Sequence, residues 1–366
     1  QVGDFSGAAT ILDDDDPPSL TIEDTMVFEG DSGTVTASFT ATLSAPSGKT
    51  ITVDFATVDG TAVANSDYDA ANDILTFDPG ETEKSITITV NGDLLDEEDS
   101  ETFSVALSNA SNVTLTDSSA EGTIFDDDPL PTLSIANASV TEGNSGTTTM
   151  NFLVSLDAPS GRTVTVTYAT SAGTATAGVD YAATSGSLTF TPGDTQETIS
   201  VTVNGDAIDE VNETFLVTIS TPTNATLDDA EATGTINDDD PPPTAVINDA
   251  TVTEGDSGTV TAVFTVTLST ASTKVITLNY SSSDGSAVAG EDYTAVPSTT
   301  LTFNPGGPLS QTISVTVLGD EDTEPDEQFF INLSGASNVT LSDSQGIGTI
   351  RNDDGHFLYL PFIVKP

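Results

Sequence analysis

Apolar residues along this chain fall at every second position. Val35, Ala37, Phe39, Ala41 and Leu43 alternate with polar residues, as do Ile86, Ile88 and Val90, and Val164, Val166 and Tyr168. A period of two is that of a strand with one face buried, and the three-to-four spacing of an amphipathic helix is absent. Thr, Val and Ile dominate these runs, as strand positions favour. Ser-Gly, Asp-Gly and Pro-Gly turn signals separate them at intervals of roughly ten residues, which predicts about seven strands per unit in an immunoglobulin-like sandwich. The predicted fold class is all-β.

The pattern repeats. Glu29-Gly30-Asp31-Ser32-Gly33 returns as Glu142-Gly143-Asn144-Ser145-Gly146 and as Glu254-Gly255-Asp256-Ser257-Gly258, at spacings of 113 and 112. Leu75-Thr76-Phe77-Asp78-Pro79-Gly80 likewise returns at Leu188 and at Leu301. Three tandem copies follow, over residues 17–129, 130–241 and 242–354, each one supersecondary plan used again. Pro129-Leu130-Pro131 and Pro241-Pro242-Pro243 join them. Proline stiffens a linker, so the array is expected to be a semi-rigid rod.

Charge changes the picture. Six Lys+Arg stand against 58 Asp+Glu, a formal net charge of -52 in a chain of 366 residues. Such a field repels nucleic acid and anionic lipid, so the expected partners are cations. No run is long and apolar enough for a membrane-spanning helix. The chain has no Cys, no Trp and one His, His356. Disulfides and thiolate chemistry are excluded, a nucleophile–histidine pair is unsupported, and no enzymatic role is expected. Sequons such as Asn112-Val113-Thr114 are expected by chance in a chain this rich in Thr, which leaves glycosylation open.

The acids are gathered. Each copy carries an acidic bend before a Phe: Asp93, Glu98 and Glu101 before Phe103; Asp206, Glu210 and Glu213 before Phe215; Asp320, Glu324 and Glu327 before Phe329. Each copy closes on an acidic run: Asp126-Asp127-Asp128, Asp238-Asp239-Asp240 and Asn352-Asp353-Asp354. A run of charge is ordinarily a solvated face. Random surface acidity, however, would not recur at the same offsets while the polar positions between drift. Like charges this dense oppose folding unless neutralised, and calcium, which takes six to eight hard oxygen ligands in flexible geometry, suits carboxylates better than magnesium does. Asp67-Tyr68, Asp180-Tyr181 and Asp292-Tyr293 read instead as a turn-forming aspartate before a packed aromatic.

The Glu29-Gly30 turn, Asp59-Gly60-Thr61-Ala62 followed by Asp67-Tyr68, the acidic bend and the closing Gly122-Thr123-Ile124-Phe125-Asp126-Asp127-Asp128 together resemble the Calx-beta family, over nearly the whole chain. The resemblance implies calcium at one end of each sandwich, near the junction with the next. It implies as ligands Glu29, Asp59, Asp93, Glu98, Glu101, Asp126, Asp127 and Asp128 in the first copy. The second would use Glu142, Asp206, Glu210, Glu213, Asp238, Asp239 and Asp240. The third would use Glu254, Asp284, Asp320, Glu324, Glu327, Asp353 and Asp354. Ala172 stands where Asp59 and Asp284 stand, and Asn352 replaces the first closing aspartate, so fewer or weaker ions are expected in copies two and three. One extra residue in the first bend leaves Glu97 and Glu98 as alternatives.

The two ends stand apart. Gly7 to Asp15 copies the closing strand at 120–128, with Ile11 and Ile124 113 residues apart. Residues 1–16 thus read as a closing strand without its own sandwich. Residues 355–366, with His356-Phe357-Leu358-Tyr359-Leu360-Pro361-Phe362-Ile363-Val364, read as an apolar tail strand. Two explanations stand: excision from a longer array, or donation of a terminal strand to a neighbouring subunit. Under donation the interface would comprise Thr10, Ile11, Leu12, Asp13, Asp14 and Asp15, with Phe357, Leu358, Tyr359, Leu360, Phe362 and Ile363. The expected function is a calcium-binding extracellular structural or adhesive protein, bacterial, self-associating head to tail, with a cell-surface or matrix ligand. An adhesin or spacer fragment and a calcium-sensing regulatory module are the alternatives.

Overall fold

The computed structural model describes residues 7–10, 12 and 14–355. Among them every regular element is a strand. The first repeat comprises β1 (Ser19–Ile22), β2 (Thr25–Phe28), β3 (Gly33–Leu43), β4 (Ile51–Asp59), β5 (Asn72–Phe77), β6 (Glu83–Gly92), β7 (Ser100–Ser111), β8 (Thr114–Leu115) and β9 (Ser119–Phe125). One sheet has the order β6-β3-β1-β8 and the facing sheet the order β2-β9-β7-β4-β5. The other two repeats have the same two orders, over Thr132–Asn237 and Thr244–Arg351.

The count is nine strands per repeat and not about seven. The first edge strand is cut in two: β1 runs antiparallel to β3 in one sheet, and β2 runs parallel to β9 in the other. The short β8 adds a parallel edge beside β1. Period-two patterning does not distinguish a strand that changes sheets from one that stays, because the alternation continues through the switch.

The buried positions are the alternating ones. Ala37, Phe39, Ala41 and Leu43 of β3 pack with Ile86, Ile88 and Val90 of β6 and with Phe103 and Val105 of β7. At the centre Phe39 meets Phe103 edge-on at 5.8 Å, and Tyr68 stacks on Phe103 at 4.4 Å. Phe152, Phe215 and Tyr181 repeat the arrangement in the second repeat, and Phe264, Phe329 and Tyr293 in the third. The closing Gly-Thr-Ile begins with Gly for this reason. A Cβ at Gly122 would lie 2.6 Å from the Phe103 ring and 2.9 Å from the Phe39 ring.

The recurring Glu-Gly-x-Ser-Gly turn also has a backbone cause. Both its glycines are left-handed, with φ of 78° at Gly30 and at Gly33, a conformation costly for other residues. The recurring sequons are likewise structural. Asn112, Asn224 and Asn338 are left-handed at φ 60°, 56° and 56°. Their side-chain amides donate to the carbonyls of Thr50, Thr163 and Val275 at 2.8, 3.0 and 2.9 Å.

Gly122→Ala is expected to destabilise the first repeat by about 1–3 kcal/mol through overpacking of the aromatic stack. A urea titration resolving that repeat's transition checks this, and an unchanged midpoint would show that the rings yield freely.

Candidate metal centre

The loops that end β2, β6 and β9, the loop between β4 and β5 and the start of β7 bring their acids together. Carboxylate oxygens of Glu29, Asp126 and Asp128 lie within 4.8 Å of one another, and those of Asp67, Glu97 and Glu101 form a second such group. Glu142, Asp238 and Asp240, and Asp180, Glu210 and Glu213, repeat both groups in the second repeat. Among the described residues the third repeat has one such group, Asp292, Glu324 and Glu327.

Burial and mutual repulsion make these acids weak. Burial, then the charges of Glu97, Asp126, Asp93 and Asp128, push Glu29 up to about 8. Burial, then Asp67, Asp93, Asp126 and Asp128, push Glu97 up to about 7, so this residue feels both groups. Burial and the adjoining Asp67 raise Glu101 to about 7. Glu142, Glu213, Glu254 and Glu327 are raised to about 7, each first by burial and then by neighbouring acids. Both Asp128 oxygens, both Asp240 oxygens, Glu29 Oε1 and Asp354 Oδ2 are buried without a hydrogen-bond partner. An unpaired buried carboxylate oxygen is costly, and the groups that carry these oxygens are crowded with like charge, Lys274 reaching only Asp238 of the second repeat's group. A hard divalent cation with oxygen ligands fits this donor set.

The acids outside these groups hold the frame. Asp127 accepts the Gly30 amide at 2.9 Å, as Asp239 does for Gly143 at 3.0 Å and Asp353 for Gly255 at 2.9 Å. Asp59 accepts the Tyr68 hydroxyl at 2.5 Å and the Ala64 amide at 3.0 Å, and Asp284 does the same for Tyr293 and Ala289. Asp93, Asp206 and Asp320 each accept the amide two residues on, at 2.7 Å. They cap the bend and add to the local field.

Two further features differ from the sequence reading. Glu97, not Glu98, joins the group: its amide donates to Asp126 at 3.0 Å, and the extra residue of the bend is taken up after it, leaving Glu98 exposed. Asp67, Asp180 and Asp292 do form turns, accepting the Val63, Thr176 and Val288 amides at 2.5, 2.6 and 2.7 Å. Their carboxylates nevertheless meet the bend glutamates as well, which the recurrence of Asp-Tyr signals without explaining. Asn352 keeps the turn of the closing run, accepting the Asp354 amide at 2.9 Å, but supplies no charge. Of the proposed interface at the ends, Ile11, Asp13 and 356–366 lie outside the described residues; Thr10, Leu12, Asp14 and Asp15 are exposed and in no strand.

The acidic end of each of the first two repeats also meets its successor. Asp96, in the first bend and 2% exposed, receives Ser160 Oγ at 2.9 Å and the Arg162 guanidinium, and its carbonyl receives the Gly161 amide at 2.8 Å. Asp209 receives Ser272 Oγ at 2.8 Å and Lys274 Nζ at 2.6 Å, and Lys274 also reaches Asp238 at 3.1 Å. Lys274 thus ties a metal-group carboxylate of one repeat to the next.

The fold and site define a tandem array of β-sandwiches whose carboxylates converge at one end of each repeat. The chain belongs to the Calx-beta domain family, whose profile matches residues 13–128, 131–240 and 243–354. Sodium/calcium exchanger 1 of Bos taurus is 36% identical over 193 residues, 47% of this chain and 20% of the exchanger; that of Cavia porcellus is 35% identical over the same length. The chain thus covers about a fifth of these relatives. Among solved structures, the crystal structure of CBD12 from CALX1.2 is 25% identical with TM-score 0.28, covering 56% of this chain and 81% of that one. The apo-form Calx CBD1 domain is 28% identical with TM-score 0.27, covering 30% and 98%.

With chelator present, stability is expected to fall as pH rises from about 4.5 to about 8, because the folded state holds protons on Glu29 and its neighbours that the unfolded chain releases at the lower pH. Melting temperatures across that range check the sign. Glu29→Gln should flatten part of the slope, and a rise in stability with pH would contradict the reading.

Proposed function

We propose that this protein is a calcium-stiffened structural or adhesive module that works outside the cell, where calcium is abundant. The observation carrying this reading is the set of buried carboxylate oxygens on Glu29, Asp128 and Asp240 without hydrogen-bond partners. These groups oppose folding at neutral pH when bare and favour it when a cation neutralises them, so calcium acts as part of the fold. The contacts between repeats support a structural role: Asp96 with Arg162 and Asp209 with Lys274 hold consecutive repeats by protein groups alone. Catalysis forms no part of the reading. Magnesium fits less well, because it demands a near-ideal octahedron and keeps its waters.

A second reading, a calcium-sensing regulatory module, draws on the 36% identity to Sodium/calcium exchanger 1. The affinities separate the two, since extracellular modules bind at ~10⁻⁴–10⁻³ M and sensors at ~10⁻⁷–10⁻⁵ M.

Titration calorimetry of the whole chain with calcium is the test. The structural reading expects binding in the weaker range, with a melting temperature that rises with calcium as mass action requires. Asn352→Asp, which restores the missing carboxylate of the third repeat, should add calcium bound per chain. Unchanged melting on chelation would sink the calcium reading, and micromolar affinity would favour the sensor.

A further inference from the structure

We infer that the free edge of β2 in the first repeat is the acceptor for residues 356–366 of a second copy of this chain, which extend the five-stranded sheet beyond β2.

The backbone of β2 is only half used. The Glu29 amide donates to the Phe125 carbonyl at 3.2 Å. In a parallel ladder every second residue bonds to the neighbouring strand, so Val27, like Glu29, faces β9, and Met26 and Phe28 turn their amides and carbonyls outward. Among the described residues no strand lies on that side of β2. An open edge is a template for a further strand, and sheets ordinarily blunt it with polar or charged side chains. The second and third repeats follow that rule. Ser139 and Thr141, and Thr251 and Thr253, hold the outward positions of the matching strands, beside Asn237 and Arg351.

The first repeat departs from it. Met26 is 73% exposed and Phe28 61%, and the Phe28 ring packs on that of Phe125 at 5.4 Å. A cleft of about 380 Å³ beside them is lined by Asp24, Thr25, Met26, Glu121 and Thr123. Asp24 accepts the Glu121 amide at 2.8 Å, which keeps these two exposed acids side by side at the rim. The fold does not require the apolar side chains, since two sister repeats form the same strand with Ser and Thr. Open backbone groups, exposed apolar side chains and a pair of acids together suit an extended segment that is apolar and carries a cation.

Residues 356–366, which lie outside the described residues, have that composition: seven of the eleven are apolar and none is Asp or Glu. Two copies of a chain of net charge -52 repel, so a segment without acids is the part suited to approach an acidic rim. Proline cannot donate to a ladder, which leaves Phe362-Ile363-Val364-Lys365, between Pro361 and Pro366, as a run of the four-residue length of β2. Ile363 and Val364 are β-branched, as strands favour, and Lys365 supplies the cation for Asp24 and Glu121. Pairing β2 with the β2 of a second copy would instead set these acids against one another. The donor follows the third repeat and the acceptor lies in the first, so the contact is heterologous and passes from copy to copy.

The test places a photoreactive benzoylphenylalanine at Phe362 of the full chain, mixes isotope-labelled with unlabelled protein, and maps the cross-links by mass spectrometry. Cross-links between copies, from position 362 to residues 24–28 or 121–125, are expected. Self-association of the unmodified chain, measured by sedimentation, should weaken by about tenfold or more on Met26→Ser with Phe28→Thr. These are the residues of the second repeat, so the variant is expected to keep its urea transition. Cross-links confined to one copy, or to any other strand, overturn the proposal. So does a chain that sediments as a monomer at every concentration, or self-association that Met26→Ser with Phe28→Thr leaves unchanged. Both readouts report contact between copies and not ion binding, so failure here is distinct from failure of the calcium reading.

Discussion

Carboxylates held a few ångströms apart and shielded from water repel one another strongly, and each repeat is built around such a group. Glu29 lies in a loop closed by two left-handed glycines, Asp126 and Asp128 follow the last strand, and Glu97 hangs from a bend between the sheets. None of these positions is adjustable in isolation. The Asp127 carboxylate holds the Gly30 amide, Asp126 holds that of Glu97, and the close approach of Gly92 to the Gly30 carbonyl leaves no room for a side chain. The frame forces the acids together, and in the calcium-bound form proposed above a cation would resolve the conflict that the frame creates.

The sandwich makes this frame rigid. The aromatic stack of Phe39, Phe103 and Tyr68 sits directly behind the acidic loops, and Asp59 joins the Tyr68 hydroxyl to the Ala64 turn from which Asp67 projects. Packing in the core therefore sets the positions of oxygens in the site. The same bend that supplies Glu97 to the acidic group supplies Asp96 to the next repeat, so the acidic group and the joint share one stretch of backbone. In the second joint the sharing is direct, through Lys274 on Asp238.

Much of this was legible in the sequence. Alternation of Val35 to Leu43 gave away the strands, and equal offsets of Glu29, Glu142 and Glu254 gave away the repeats. The acids that matter were visible as a set because they recur. Their separate places were not, because acid clusters and turn capping both use aspartate: Asp127 holds the Gly30 amide while its neighbour Asp128 joins the acidic group, and Asp67 does both. The division of the first edge strand between sheets left no mark on the period of two. The joints were hidden for another reason. Arg162 and Lys274 look like incidental cations until the fold shows Asp96 and Asp209 buried against them.

Diffraction from crystals grown with calcium, collected for the anomalous signal of the ion, tests the central claim most directly. Anomalous peaks are expected between Glu29, Asp126 and Asp128 and between Asp67, Glu97 and Glu101, with the matching pair in the second repeat and the Asp292, Glu324 and Glu327 position alone in the third. Ordered carboxylates at these positions with no anomalous density at saturating calcium would contradict the account.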